Sequence, residues 1–171
     1  MEQNPIYSNH CIEFLTVCAE YCKYIEQCRS VERAEFLRVM CGMLPMIYIK
    51  VSVLPQIEQP MGYNEPFVTE EDYNYVRNSV ASIMGQYDEY LDVFVADFKF
   101  SDEPILCTVS EGLADIYQAL RDLTETYRGG HEEAIEAALF DVKESFENDW
   151  GQKLLNALKS LHDTRFTRID E

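Results

Sequence analysis

Cys11, Cys18 and Cys22 lie seven and four residues apart, which places three thiols on one face of a helix. Two thiolates at i and i+4 can share a zinc ion, and Cys41 or His10 could complete the site. The same face also carries Phe14, Leu15 and Ile25, and free cysteine packs as a small hydrophobe. No C-x₂-C pair occurs among the six cysteines, so the strongest zinc signature is missing and core packing is the expected role. Thiol-based metal storage is the rival use. A carboxylate-bridged di-metal site would need Glu-x-x-His, which sets two ligands on one inward turn. The residues three before His10, His131 and His162 are Tyr7, Arg128 and Lys159. No metal or other cofactor is expected.

Glu132-Glu133-x-x-Glu136 resembles the Glu-Glu-x-x-Glu magnesium motif of the all-helical nucleotide pyrophosphohydrolases of the MazG type. In that family the cluster works with a Glu-x-x-Asp on the following helix. No helix follows here, and Glu144-x-x-Glu147 falls on the same one. The resemblance implies Mg²⁺-dependent nucleotide hydrolysis through Glu132, Glu133 and Glu136, as the alternative to plain stabilisation of a helix start by acids. Glu111, Asp115, Gln118, Asp122 and Glu125 repeat at steps of four and three. That spacing describes a solvated helix face, and a cation site would require acids of another helix to meet it.

Three polar residues stand in apolar surroundings: Lys50, which must reach water or an acid, Asn156, and His162 at a helix end. Structural roles are expected for all three. Neither a glycine-rich phosphate loop nor a complete nucleophile–base set is present. The expected function is therefore a small acidic protein-interaction module without catalytic residues. Its expected surface spans residues 58–75 around Tyr63, Phe67 and Tyr75, which fit no buried helix face.

Composition narrows the partners. The chain has 171 residues with 31 acids against 14 bases, a net charge of −17. A polyanion is repelled by nucleic-acid phosphates and anionic lipid, so neither is an expected partner. Arg29, Arg33 and Arg38 are interleaved with Glu26, Glu32 and Glu35, which reads as a salt-bridged face and not a phosphate cradle. The first residues lack the basic and apolar regions of a signal peptide, and the most apolar stretch, residues 43–54, is too short to span a bilayer. A cytoplasmic location with reduced thiols is expected. Between Lys50 and Lys99 nine acids face a single base, Arg77, yet eight aromatics share the segment. Acid alone would leave it unfolded, whereas aromatics at that density bury enough area to fold it.

The elements that position these residues read as helices. Ser8 caps a first helix with a wide apolar face, and a second starts near Ser30 and meets Pro45. Residues 46–54 alternate as a strand would, but a lone strand has no partner, so buried helix is favoured. Pro55, Pro60, Gly62 and Pro66 punctuate the long connection 55–68. Thr69 and Asp72 form a capping-box pair ahead of a helix with Tyr73, Val76, Val80 and Ile83 inward, ending at Gly85. A shorter helix is expected next, with Tyr87, Leu91, Phe94, Val95 and Phe98 inward. Ser101 or Asp102 would cap a fifth, with Pro104 in its first turn. After Gly129-Gly130 a long last helix, about 131–162, would be roughly 48 Å long and act as the spine. The expectation is one all-α domain over residues 1–171, an antiparallel bundle of about six helices. Its ordered core would cover about 8–162, with a frayed tail over 163–171.

Four stretches carry a further likeness: Met43-Leu44-Pro45-Met46-Ile47-Tyr48-Ile49-Lys50, Thr69-Glu70-Glu71-Asp72-Tyr73, Ser110-Glu111-Gly112-Leu113-Ala114-Asp115-Ile116-Tyr117 and Asp149-Trp150-Gly151-Gln152-Lys153-Leu154. In these the chain resembles an uncharacterised bacterial family classed as a domain of unknown function. The resemblance covers about residues 10–162 and implies an all-helical fold. It implies no reaction, substrate, partner or catalytic residue.

Overall fold

Ser8 does cap the first helix, α1 (Asn9–Glu26), by accepting the Cys11 N–H at 3.4 Å. The computed structural model describes residues 4–92 and 104–168. A second helix, α2 (Arg33–Ser52), runs through Pro45 and takes in the ambiguous alternating stretch, burying Leu44, Ile47 and Val51. Lys50 on its flank pairs with Glu13 of α1 at 3.0 Å. The capping box at Thr69 and Asp72 is made in both directions and opens α3 (Glu70–Met84), which ends at Gly85 with φ +55°. Gly130, with φ +76°, closes α4 (Val109–Gly129) in the left-handed conformation that favours glycine.

Two expectations are corrected between α3 and α4. Where a short helix was expected, Glu89–Asp92 forms strand β1, and Ile105–Thr108 forms β2 where a fifth helix was to begin. The strands pair antiparallel, with Tyr90 opposite Cys107 and Leu91 opposite Leu106. Leu91 is therefore exposed instead of buried. Phe94, Val95, Phe98, Ser101 and Asp102 lie outside the described residues. The cap of α4 is built differently from the expected one. Thr108 accepts the Glu111 N–H, and the buried Asp88 takes both the N–H and the hydroxyl of Ser110 at 2.8 and 2.6 Å. Pro104 precedes a strand, not a helix, and there too its missing N–H costs little.

The last helical run is also not one regular helix. It divides into α5 (Glu132–Ser145), a π turn over Phe146–Trp150, and α6 (Gly151–Asp163), and continues as a second π segment through Thr164–Arg168. Val142, Phe146, Trp150 and Leu154 are spaced by three successive steps of four. On a regular helix each step overshoots a 3.6-residue turn by about 40°. The wider π turn absorbs that drift, so Val142, Trp150 and Leu154 are all buried. The spine is α4, which packs against α1, α3, α5 and α6. All-α is the right class, since the hairpin is the only sheet among the described residues.

Cys11, Cys18, Cys22 and Cys28 are buried in the core with Phe14, Ile25 and Phe36. Burial pushes the thiol pKa up at all four, to about 11 at Cys28. Burial thus disfavours the thiolate, the form that attacks electrophiles. Among the described residues no three His, Cys, Asp or Glu side chains come together as a metal site. No helix among them is long and apolar enough to cross a membrane.

Candidate functional site

The structure brings together two features that are some seventy residues apart in sequence. The connection after α2 folds back over the first turn of α5, and Gly62 lies so close that a Cβ there would stand 3.5 Å from the Glu133 carbonyl oxygen. Between them opens a cleft of about 530 Å³. Residues 56–62 form one wall and Glu133 and Glu136 the other, while Asn4, Pro5 and Ile6 close the end.

The N-terminal turn is fixed where it meets the cleft. Tyr127 donates to the Ile6 carbonyl at 2.9 Å, and Asn4 Nδ2 donates to Glu136 Oε1 at 3.2 Å. Tyr7 reaches Glu132 Oε1 at 3.5 Å. Of the proposed magnesium set, Glu132 and Glu136 are thus engaged by different residues of the N-terminal turn. Only Glu133 and Glu136 face the cleft, and the three carboxylates do not converge. Glu132 and Glu133 also occupy the first turn of α5, where the helix dipole favours acids.

The long connection is tied down at several points, although it lacks helix and strand. Leu54 is buried and Ile57 packs against the core. Thr126 Oγ1 donates to Asn64 Oδ1 at 2.8 Å. Asp122 Oδ1 accepts the backbone N–H groups of Phe67 and Val68, both at 2.8 Å. The Arg121 guanidinium lies over the Phe67 ring at 4.7 Å and is itself held by Glu26 and Glu125. Between these anchors the chain holds Met61 fully in solvent and Tyr63 at 78% exposure. Phe67 and Tyr75 are exposed as well, and Tyr75 lies on α3 beneath Arg29, 5.8 Å away. Sequence reading picked out Tyr63, Phe67 and Tyr75 but passed over Met61, whose place between Pro60 and Gly62 was the available signal.

Burial raises the Asp122 carboxyl above the usual aspartate range, and the two loop N–H groups only partly oppose it. Ionisation at neutral pH therefore costs stability, and this side chain contributes most below the carboxylate range. Asp122→Asn keeps an acceptor for the loop and removes the buried charge. Its thermal midpoint should match or exceed that of the wild type at pH 7, with the advantage disappearing in acid. Asp122→Ala leaves both N–H groups without their acceptor and should cost about 1–2 kcal/mol. Equal melting of the two variants would disprove the tether.

The same wet stripe supplies a second tie. Asp115 accepts from the Tyr73 hydroxyl at 2.6 Å and from Lys153 Nζ at 2.7 Å, joining α3, α4 and α6, while Lys153 also pairs with Asp149 at 2.9 Å. Burial opposes the Lys153 ammonium, but its bonds to Asp115 and Asp149 outweigh that and raise its pKa. The network is about one-third exposed, so Asp115→Ala should cost roughly 1–3 kcal/mol in urea unfolding. These bonds join three helices, which makes the network a brace between them.

A family model described as "Domain of unknown function (DUF5063)" matches residues 5–167. The crystal structure of protein BF1032 from Bacteroides fragilis is 35% identical. It superposes with a TM-score of 0.85, over 96% of this chain and 97% of that one. No curated protein matches the chain significantly.

Proposed function

The chain belongs to the DUF5063 family, whose description names no activity, and we propose that it is a small cytoplasmic protein-interaction module. The observation that carries this reading is a tethered connection that holds Met61 and Tyr63 in water beside a cleft walled by Glu133 and Glu136. Large apolar side chains on a pre-formed loop bind without the ordering cost that weakens unstructured ligands. The surface spans residues 58–75, with Phe67 and Tyr75 flanking its centre.

Charge selects the partner. Glu58, Glu65, Glu70 and Glu71 are exposed and interspersed in sequence with the exposed aromatics, and the cleft adds Glu133 and Glu136. A cationic segment with its own apolar residue complements this face, whereas nucleic acid and anionic lipid are repelled by it. A photoreactive phenylalanine analogue placed at position 63 of the full chain tests the reading in the source cells. The expected result is a discrete protein adduct that weakens with Glu133→Gln plus Glu136→Gln. No adduct, or the same adducts from the exposed position 20 on α1, would overturn it.

A further inference from the structure

We infer that Met61 is a site of reversible oxidation by peroxide, where conversion of the thioether to the sulfoxide weakens the docking surface. Met40 and Met84 are fully buried, Met43 packs against the core and Met46 is about half exposed. Met61 alone among the described methionines stands entirely in solvent. Its neighbours Pro60 and Gly62 carry no long side chain to shield its sulfur. The competing thiols are less reactive. Cys11, Cys18, Cys22 and Cys28 are buried, and burial pushes up the thiols of the half-buried Cys41 and Cys107 as well. A thiol must lose its proton before it reacts, whereas a thioether has none to lose.

The surface field selects the oxidant. Met61 lines the cleft walled by Glu133 and Glu136, in a chain of net −17. That field repels anionic oxidants and admits neutral hydrogen peroxide. The Met61 sulfur attacks one peroxide oxygen, the O–O bond breaks and an S–O bond forms. The proton on the transferred oxygen passes to the departing hydroxide, which leaves as water. Sulfur is oxidised and peroxide reduced by one electron pair, and a dithiol reductase reverses the change, forming a disulfide and water. The sulfoxide is polar where the thioether was apolar. Because Met61 contacts solvent and not the core, the change falls on the binding face of the loop and spares the fold. That consequence for binding rests on the docking reading above, and the modification itself does not.

Limited hydrogen peroxide treatment of the full chain, followed by peptide mass spectrometry, tests the inference. Met61 should gain one oxygen several-fold faster than Met43, Met46 or any cysteine, with an unchanged thermal midpoint. The two epimer-specific methionine sulfoxide reductases should restore the thioether on the folded chain. Binding of a lysine–leucine peptide should weaken several-fold on oxidation and recover on reduction, and Met61→Leu should bind it equally before and after peroxide. Met46 or a cysteine oxidised as fast as Met61, or a sulfoxide that the reductases leave in place, would overturn the inference. So would an oxidised chain that binds the peptide as tightly as the reduced one. A peptide that binds neither form, with Met61 still oxidised first and repaired, would sink the docking reading and leave the modification site standing.

Discussion

Gly151→Ala should lower the thermal midpoint by roughly 6–12 °C, which for a chain of this size corresponds to about 3 kcal/mol. Gly151 opens α6 directly after the π turn, and its N–H bonds back five residues to the Phe146 carbonyl. A Cβ at this position would stand 2.5 Å from the Phe146 carbonyl oxygen and 3.0 Å from two atoms of its ring. Backbone cannot move aside as a side chain can, so the helix must either break the π turn or shift against α4. Breaking the turn rotates Trp150 and Leu154 out of register with Val142. Calorimetry on the variant decides the matter, and a midpoint within a degree of the wild type would show that the turn tolerates a side chain there.

Trp150→Ala should cost still more, about 3–5 kcal/mol, because Trp150 is the largest fully buried side chain in the structure. Its ring stands edge-on to Phe146 with centroids 4.8 Å apart, and Phe146 in turn stands edge-on to Tyr48 of α2 at 5.0 Å. The indole N–H donates to the Val142 carbonyl and to Ser145 Oγ, both at 3.1 Å, which ties the π turn to the helix before it. Trp150→Phe separates the two roles. It keeps most of the buried area and loses the N–H bonds, so about 1–2 kcal/mol should go. Urea unfolding of both variants gives the comparison, and equal losses would mean that the N–H bonds carry the whole effect and the buried ring none of it.

The helices were legible because their signals are local. Ser8, the Thr69–Asp72 box, Gly85 and Gly130 mark boundaries with residues that act within one turn. The β1–β2 hairpin was missed for the opposite reason. Each strand is four residues long, and its pairing depends on a partner more than a dozen residues away. Tyr87 and Leu91, four apart, imitate a helical step, and Pro104 suits the start of a strand as well as the start of a helix. The π turn did leave a trace, in the three successive four-residue steps from Val142 to Leu154, but a tolerant helical template accepts them without complaint.

The polar stripe of α4 shows where single-helix reasoning stops. Spacing places Asp115, Asp122 and Glu125 on one face, and a solvated face was the natural reading. In the fold Asp115 braces α3 and α6, Asp122 tethers the long connection, and Glu125 holds the arginine that covers Phe67. A helical wheel gives the direction of a side chain and not what stands opposite. The cleft has the same origin. Glu133 and Gly62 are each visible in the sequence, and only the packing of the connection on α5 makes them neighbours.

The central claim is that Met61, Tyr63, Glu133 and Glu136 form one docking surface for a cationic segment. Selecting a random peptide library on the immobilised full chain, then mapping an enriched peptide by amide chemical shifts, tests it most directly. The account predicts peptides that pair Lys or Arg with an apolar residue. It also predicts shifts concentrated at residues 58–67 and 132–136, and affinity lost at least tenfold in Tyr63→Ala with Glu133→Gln, a change of about 1.4 kcal/mol. Enrichment of acidic or uncharged peptides, or shifts confined to other helices, would contradict it.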